Sequence, residues 1–407
     1  MLTGELPPDR GGVGDYTARL SDALAALGVP IGILTRKRPD VPPRRVLGGS
    51  RVPVHGTVEG WGPGVFPLVT RTLAGLGPRP LLHIQFQAGA FDLGGSVHLL
   101  PSVLRATVPR ARVVTTFHDF LVPYLFPKAG PARLAANRLL ARSSHAAIFT
   151  DLSDLELAGP GVRGRVVPIG SNVDRIITAE PSRAEVRQRL GADDATFVIG
   201  YFGFLSPSKG VPTLLEAVGQ VTARRPDRSV RLVLIGAETG VSNPTDLTQV
   251  RVVHDAIEQE RLGEAIVRTG YLSPPELSAT LLACDVVALP FRDGASARRG
   301  TLMAAIEHGV PSVSTLPARP SPLAGPRAFW LGAGPGAVAV RDGESILMVP
   351  PDDADALATA LLRLADDPAL RARLAEGTRA AADRIAWPAL AAETIDVYRE
   401  TFGGRGP

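Results

Sequence analysis

The sequence predicts an α/β protein of two successive domains, each a parallel sheet with helices on both faces. Three observations carry that prediction. Short apolar runs alternate with stretches whose apolar residues recur at helical spacing, the pattern of repeated βα units. A polar, arginine-rich segment from Asp174 to Asp194 interrupts the alternation, which then restarts. Finally, 407 residues exceed what one hydrophobic core usually serves. The predicted domains are 1–173, joined by a final helix at 388–402, and 174–387.

Only Leu2 to Gly4 can supply the first strand. A central strand usually runs for about five or six residues, so the native start is expected upstream of Met1. Pro30 to Thr35, Pro80 to Phe86, Arg112 to Phe117, Ala146 to Thr150 and Arg165 to Ile169 follow as strands, each bounded by Gly, Pro or charge. Tyr16 to Leu27, Val65 to Leu76, Leu99 to Ala106 and Ala132 to Arg142 are the intervening helices. After the polar segment, strands are expected at Thr196 to Gly203, Val230 to Gly236, Ile266 to Gly270, Val286 to Phe291, Ser312 to Thr315 and Ile346 to Val349. Helices include Val211 to Arg224, Ala354 to Ala365 and Pro388 to Phe402. Ala318 to Gly336 reads as a Pro/Gly-rich loop, too long for a simple connection and therefore able to shape a pocket.

Composition excludes several classes of protein. Hydrophobic residues are 45% and charged residues 21%, as in a globular domain. No apolar run reaches the roughly 18 residues of a membrane span. The opening residues lack the basic start and apolar core of a secretory signal, which points to the cytoplasm. A single cysteine, Cys284, leaves no disulfide framework or thiolate metal cluster and reads as an inert core thiol. The net charge of +4 comes with 41 arginines against three lysines, a usage bias rather than a nucleic-acid footprint. No zinc-finger spacing, ribonucleoprotein motif or basic tract accompanies it, so no nucleic-acid partner is expected.

Chemistry concentrates at four places. Between Asp285 and Thr315 an apolar strand empties into Arg292 to Thr301, and a helical pattern begins there. A helix start with arginines beside it suits a phosphate-bearing ligand through its unpaired amides, its dipole and its cations; an ordinary βα turn is the competing reading. Asp9 to Tyr16 is a glycine turn before a helix, but it lacks the third glycine of a dinucleotide fingerprint, and no acidic residue ends the next strand. His118 stands at the carboxyl end of a strand, where open α/β sheets place ligand groups. His83 reads as a packed core histidine, with Gln85 and Gln87 on its face nearer the rim. Lys209, one of so few lysines, stands at the start of a helix as a point charge for phosphate.

Together, the opening Pro7-Pro8-Asp9-Arg10-Gly11-Gly12-Val13-Gly14, His118 after its strand, Gly203 with Lys209-Gly210, the Gly309-Val310-Pro311 turn and Leu347 to Asp352 resemble retaining GT-B glycosyltransferases of family 4. The resemblance covers nearly the whole chain in order. It implies two Rossmann-like domains facing across an interdomain cleft, with the last helix returning to the first domain. It also implies a nucleoside-diphosphate sugar as donor, a hydroxyl acceptor, and a reaction without metal or cofactor. Gly12 and Gly14 would then approach the donor phosphates, and His118 would contact the donor sugar. Lys209 would neutralise the leaving diphosphate, with Ser296, Arg298, Arg299, Gly300 and Thr301 forming its seat.

Three departures from that family stand out. Phe204 occupies the place of an arginine, and Ser296 and Ala304 occupy the places of the Glu-x7-Glu carboxylates. Arg298 and Arg299 are alternative replacements for the lost cation, and Glu307, one turn beyond Ala304, suits a surface or capping role better than ribose binding. The missing carboxylates keep a non-catalytic, nucleotide-sugar-binding scaffold as the alternative function. For a lipid-linked rather than a glycan acceptor, the Ala132 to Arg142 helix, with Leu134, Leu139 and Leu140 among arginines, offers peripheral contact with an anionic inner membrane face. The competing reading packs that helix on its own sheet.

Overall fold

The computed structural model describes residues 1–9, 11–120, 130–177, 181–236, 244–319 and 325–403. They form two compact units: Met1–Gly170 with Leu331–Ala337 and the chain from Ala386 onward, and Ser171–Trp330 with Val338–Ile385. Arg10, part of the glycine motif, lies outside the described residues, as do 320–324 of the Pro/Gly-rich loop.

The first unit runs β1 (Leu2–Thr3), α1 (Gly12–Ala26), β2 (Ile33–Arg36), β3 (Arg44–Leu47), β4 (Val52–Val58), α2 (Val65–Ala74), β5 (Leu81–Phe86), α3 (Ser96–Thr107), β6 (Arg112–Phe117), α4 (Gly130–Ser143), β7 (Ala146–Phe149), α5 (Leu152–Ala158) and β8 (Gly164–Val166). The sheet order is β3-β4-β2-β1-β5-β6-β7-β8, with β3 antiparallel at the edge and every other pairing parallel. Two residues suffice for β1 because the sheet surrounds it: Leu2 pairs with Leu34 on one side and Ile84 on the other, and is fully buried. Strands buried on both faces, such as β6 and β7, read as continuous apolar runs. The strands β3 and β4 do not, which is why the apolar-run criterion passes over them: β4 alternates buried and exposed residues, and β3 is half arginine.

On one face of this sheet Val69, Ile84, Leu100, Phe117 and Phe149 share a core. The predicted amphipathic helix is α4, and it spends its leucines there: Leu140 is fully buried and Leu134 packs against the same cluster, leaving Leu139 exposed. Arg138 turns back to donate to the Leu157 carbonyl. This packing accounts for Leu134 and Leu140 of the apolar stripe and leaves Leu139 on the surface.

The second unit runs α6 (Arg183–Arg189), β9 (Phe197–Phe202), α7 (Val211–Arg224), β10 (Val230–Ile235), α8 (Pro244–Gln259), β11 (Ile266–Gly270), α9 (Pro274–Ala283), β12 (Val286–Leu289), α10 (Gly300–His308), β13 (Ser312–Thr315), β14 (Ala328–Leu331), β15 (Val338–Arg341), β16 (Leu347–Val349), α11 (Ala354–Asp366), α12 (Pro368–Gly377) and α13 (Arg379–Ile385). Its sheet, β11-β10-β9-β12-β13-β16, is parallel throughout, and β14 and β15 pair as a separate ribbon. The Ala318 to Gly336 stretch is thus not all loop, since it contains β14. The arginine-rich Asp174 to Asp194 segment likewise contains α6. Arg187 of that helix is buried, donates to the Ala283, Asp193 and Thr196 carbonyls and pairs with Asp285 at 3.1 Å. An arginine so fully hydrogen-bonded is structural, and its charge disguises a core position.

The last helix, α14 (Trp387–Thr401), packs on the first unit. Leu390 and Val397 cover Val114 and Ile148, while Trp387 and Tyr398 meet the α1 residues Tyr16 and Leu20.

Candidate functional site

In the second unit, the loops after β9 and β12 converge. Gly203 leaves β9 at φ +138°, and a side chain there would press on Thr301 at the start of α10. Gly210, at φ +68°, turns the chain from Lys209 into α7; a Cβ on it would overlap the Pro290 carbonyl oxygen. The Arg292 amide donates to the Ser208 carbonyl at 3.0 Å, which ties the two loops directly. The β12 loop is also pinned to β13, because Thr315 Oγ1 donates to the Phe291 carbonyl and the Ala295 amide to the Thr315 carbonyl. Asp352, from the Leu347 to Asp352 motif, accepts from Arg292 Nε at 2.9 Å.

Phe291 is the platform of this site. Lys209 Nζ lies 4.9 Å from its ring centroid and Arg299 Cζ 4.8 Å, so two cations share one buried aromatic ring. Asp293 pairs with Arg299 and offsets part of the repulsion. Burial and the neighbouring Arg299 together bring the Lys209 ammonium down to about 8. Arg299 is also the N-cap of α10, which has no side-chain cap and no acidic residue in its first turn. The amides of Gly300 and Thr301 therefore open the helix without an intrahelical acceptor. Of the two candidate arginines, Arg299 shares the platform with Lys209, while Arg298 is half-buried in the same turn. Geometry thus joins Lys209, Arg299, Gly300 and Thr301 around a place where an anion would meet two charges and a helix N-terminus.

Beside it, at the carboxyl ends of β9, β10 and β11, lies a cavity of about 120 Å³ lined by Gly203, Leu205, Leu234, Ile235, Gly236, Arg268 and Gly270. Sequence reasoning passed over Arg268, which alternates along β11 like any surface residue. The three glycines at strand ends were its only signal.

The two positions where carboxylates were expected differ physically. Ser296 is half-buried within the β12 loop, whereas Ala304 is fully buried on α10. Glu307 is half-buried among Asp174, Arg175 and Asp383, and burial with those carboxylates raises its pKa. Phe204, in place of an arginine, is exposed. Cys284 is buried with its thiol pushed up to about 12, an inert group.

In the first unit, His118 follows β6, with Nε2 2.9 Å from Gln85 Oε1 and its ring edge-on to Tyr16 at 4.6 Å. Burial lowers its pKa to about 3, so the imidazole is neutral. The glycines of α1 behave differently from each other. Gly12 is exposed with open space around it, whereas Gly14 is buried against the Leu6 backbone at 3.1 Å, so close packing already explains its lack of a side chain. The amides of Val13 and Gly14 are also occupied: both donate to Glu5 Oε1, at 3.0 and 3.1 Å. A carboxylate of this chain therefore already caps α1.

Two family models match the chain without overlap, one described as a glycosyl transferase 4-like domain over residues 11–170 and one as glycosyl transferases group 1 over residues 196–367. The D-inositol 3-phosphate glycosyltransferase of Stackebrandtia nassauensis is 25% identical over 98% of this chain and 88% of its own length. D-inositol 3-phosphate glycosyltransferase 2 of Catenulispora acidiphila is 28% identical, over 97% and 91%. Among solved structures, sucrose-phosphate synthase of Thermosynechococcus elongatus superposes with a TM-score of 0.70 at 20% identity, covering 97% of this chain and 94% of that one. HepE of Anabaena, in complex with UDP and glucose, gives 0.70 at 18% identity, covering 98% of each. The two sheets, the order of the motifs and the two family matches agree: the chain belongs to the group 1, family 4-like glycosyltransferases and has their GT-B fold.

Proposed function

We propose that this glycosyltransferase moves a sugar from a nucleoside diphosphate to an acceptor hydroxyl with retention of configuration and without a metal ion. The observation that carries the reading is the pair of cations on Phe291 beside the open N-terminus of α10. As the bond from sugar to diphosphate breaks, negative charge accumulates on the leaving phosphate. Lys209, Arg299 and the Gly300 and Thr301 amides are fixed around one point and stabilise charge there with little reorganisation. Arg299 supplies the cation that Phe204 does not, so the loss at one loop is made good from another. The nucleoside base enters the cavity lined by Leu205, Leu234 and Arg268, at the strand ends where open α/β sheets bind nucleotides.

His118 contacts the donor sugar, and the acceptor hydroxyl attacks from the face the diphosphate leaves. HepE is in complex with UDP, and the relatives named above act on inositol 3-phosphate or form sucrose phosphate by name, so UDP-sugars and phosphorylated polyols are the first substrates to try. The Ser296 and Ala304 positions remove two sugar and ribose contacts of the family, so the donor sugar is read by other groups.

Lys209→Ala tests this reading. With a donor panel of nucleoside-diphosphate sugars, its transfer or slow donor hydrolysis should fall about a hundred-fold or more, while its thermal melt stays near that of the wild type. Turnover unchanged in a folded Lys209→Ala protein would sink the assignment.

A further inference from the structure

Behind His118 lies a buried polar network of His83, Gln85, Thr116 and Tyr398, and the Met1 thioether orients the amide that faces the histidine. β5 carries His83 and Gln85 two residues apart, both buried. Buried polar atoms need partners, and His83 has three: Nδ1 is 2.6 Å from the Tyr398 hydroxyl, Nε2 is 2.7 Å from Thr116 Oγ1, and Gln85 Nε2 lies 3.3 Å from Nε2 and 3.5 Å from Nδ1. Gln85 has the remaining choice, because its amide can face His118 with either oxygen or nitrogen. The Met1 thioether makes that choice. Its sulfur lies 3.7 Å from Gln85 Nε2 and already accepts from Ser21 Oγ at 3.3 Å. A thioether accepts and cannot donate, so the amide turns its NH2 toward sulfur and its oxygen toward His118. An amide oxygen accepts only, and His118 Nε2 must therefore carry the hydrogen.

We propose that Gln85 is a positioning residue that fixes His118 as the Nε2–H tautomer, so that its Nδ1 lone pair accepts a hydrogen bond from a substrate hydroxyl. This rests on the reading of His118 as a substrate contact, but the tautomer is observable without substrate. The groups around the ring fit a neutral imidazole. Tyr16 of α1 packs edge-on with its phenol held above the usual range, Tyr398 of α14 and His83 lie beyond Gln85, and Asp119 is the neighbour in sequence. The hydrogen bond that His118 Nε2–H donates to Gln85 Oε1 engages Nε2, so Nδ1 is the nitrogen left for the substrate.

The test uses the full-length protein labelled with nitrogen-15 only in its seven histidines. Two-bond proton–nitrogen spectra recorded between about pH 5 and about pH 9 report protonation at each ring nitrogen. The His118 signals are assigned by their absence in His118→Asn. The expected result is a single tautomer, protonated at Nε2 and not at Nδ1, with no titration across the range. Gln85→Leu should release the ring into a mixture of tautomers. Gln85→Glu should raise the His118 midpoint by about two units, and its transfer rate should fall as pH drops through that midpoint while the wild-type rate does not. Wild-type His118 protonated at Nδ1 or present as a mixture overturns the proposal, even if both variants fail to fold. An unmoved single tautomer in folded Gln85→Leu overturns the assignment to Gln85. If the tautomer is as expected but His118→Ala transfers sugar at the wild-type rate, the substrate half falls and the reading of His118 falls with it.

Discussion

Lys209 and Asp15 both have a shifted ionisation with measurable consequences. Lys209 sits near 8 because burial and Arg299 both oppose its charge. It is cationic below that value and neutral above it, so affinity for a nucleoside diphosphate should fall as pH rises from about 7 to about 9, by up to about ten-fold. Lys209→Arg should flatten that profile, and calorimetric titrations of the two proteins at both pH values check it. Asp15, in the first turn of α1, is raised to about 6 by burial and by the Glu5 carboxylate, with Arg19 opposing the shift. Its folded-state pKa lies above the unfolded value, so ionised Asp15 costs stability above pH 6, and that cost vanishes below the unfolded carboxylate range. After discounting for solvent screening, Asp15→Asn should stabilise the protein by about 1 kcal/mol near neutral pH and by almost nothing at about pH 3. Urea melts at the two values distinguish this from a general effect on the helix.

Among the elements, the loops that end β9 and β12 matter most, because each supplies one of the two cations on Phe291. Gly210 holds them together: it is left-handed, and its missing side chain leaves room for the Pro290 carbonyl. Gly210→Ala adds both backbone strain and a collision, so it should cost about 3 kcal/mol and lower donor affinity together with stability. A thermal melt that is unchanged would show that the two loops move apart freely. These elements also show how far the sequence could be read. Strands β6 and β13 and helix α7 were legible to the residue because their apolar periodicity is set by burial on one or both faces. Strands β3 and β4, helix α6 and the ribbon of β14 and β15 were not. Their residues satisfy an edge, a buried arginine or a short pairing, and none of these leaves an apolar run. At the site, Lys209 stood out by rarity and Arg299 by its place at a helix start. Phe291, which puts them side by side, looked like the end of an apolar strand, and Glu5 carried no signal of its own. What those two residues do depends on partners eight or more positions away in sequence.

For the whole molecule, two α/β units each carry a helix N-terminus at the carboxyl end of a parallel sheet, and the two differ in what occupies it. In the second unit α10 has no side-chain cap and stands beside two cations; in the first, α1 is capped by Glu5. If anion capture followed helix geometry alone, both would respond to a nucleotide. Electrostatics separates them, because a diphosphate gains from Lys209 and Arg299 but would have to displace, or be repelled by, the Glu5 and Asp15 carboxylates. Hydrogen exchange with and without a saturating nucleoside diphosphate, taken from a panel of UDP, GDP and ADP, reads both termini in one experiment. Residues 203–211 and 291–303 should gain protection, while the Val13 and Gly14 amides, already bonded to Glu5, should exchange as before. Protection of Val13 and Gly14 in the absence of any change at 203–211 would place the diphosphate on the first unit and overturn the roles of Lys209 and Arg299 as its cations. In Glu5→Gln the α1 cap is neutral, and any first-unit response that charge repulsion had suppressed should then emerge. If it does not, packing rather than charge keeps α1 closed to anions.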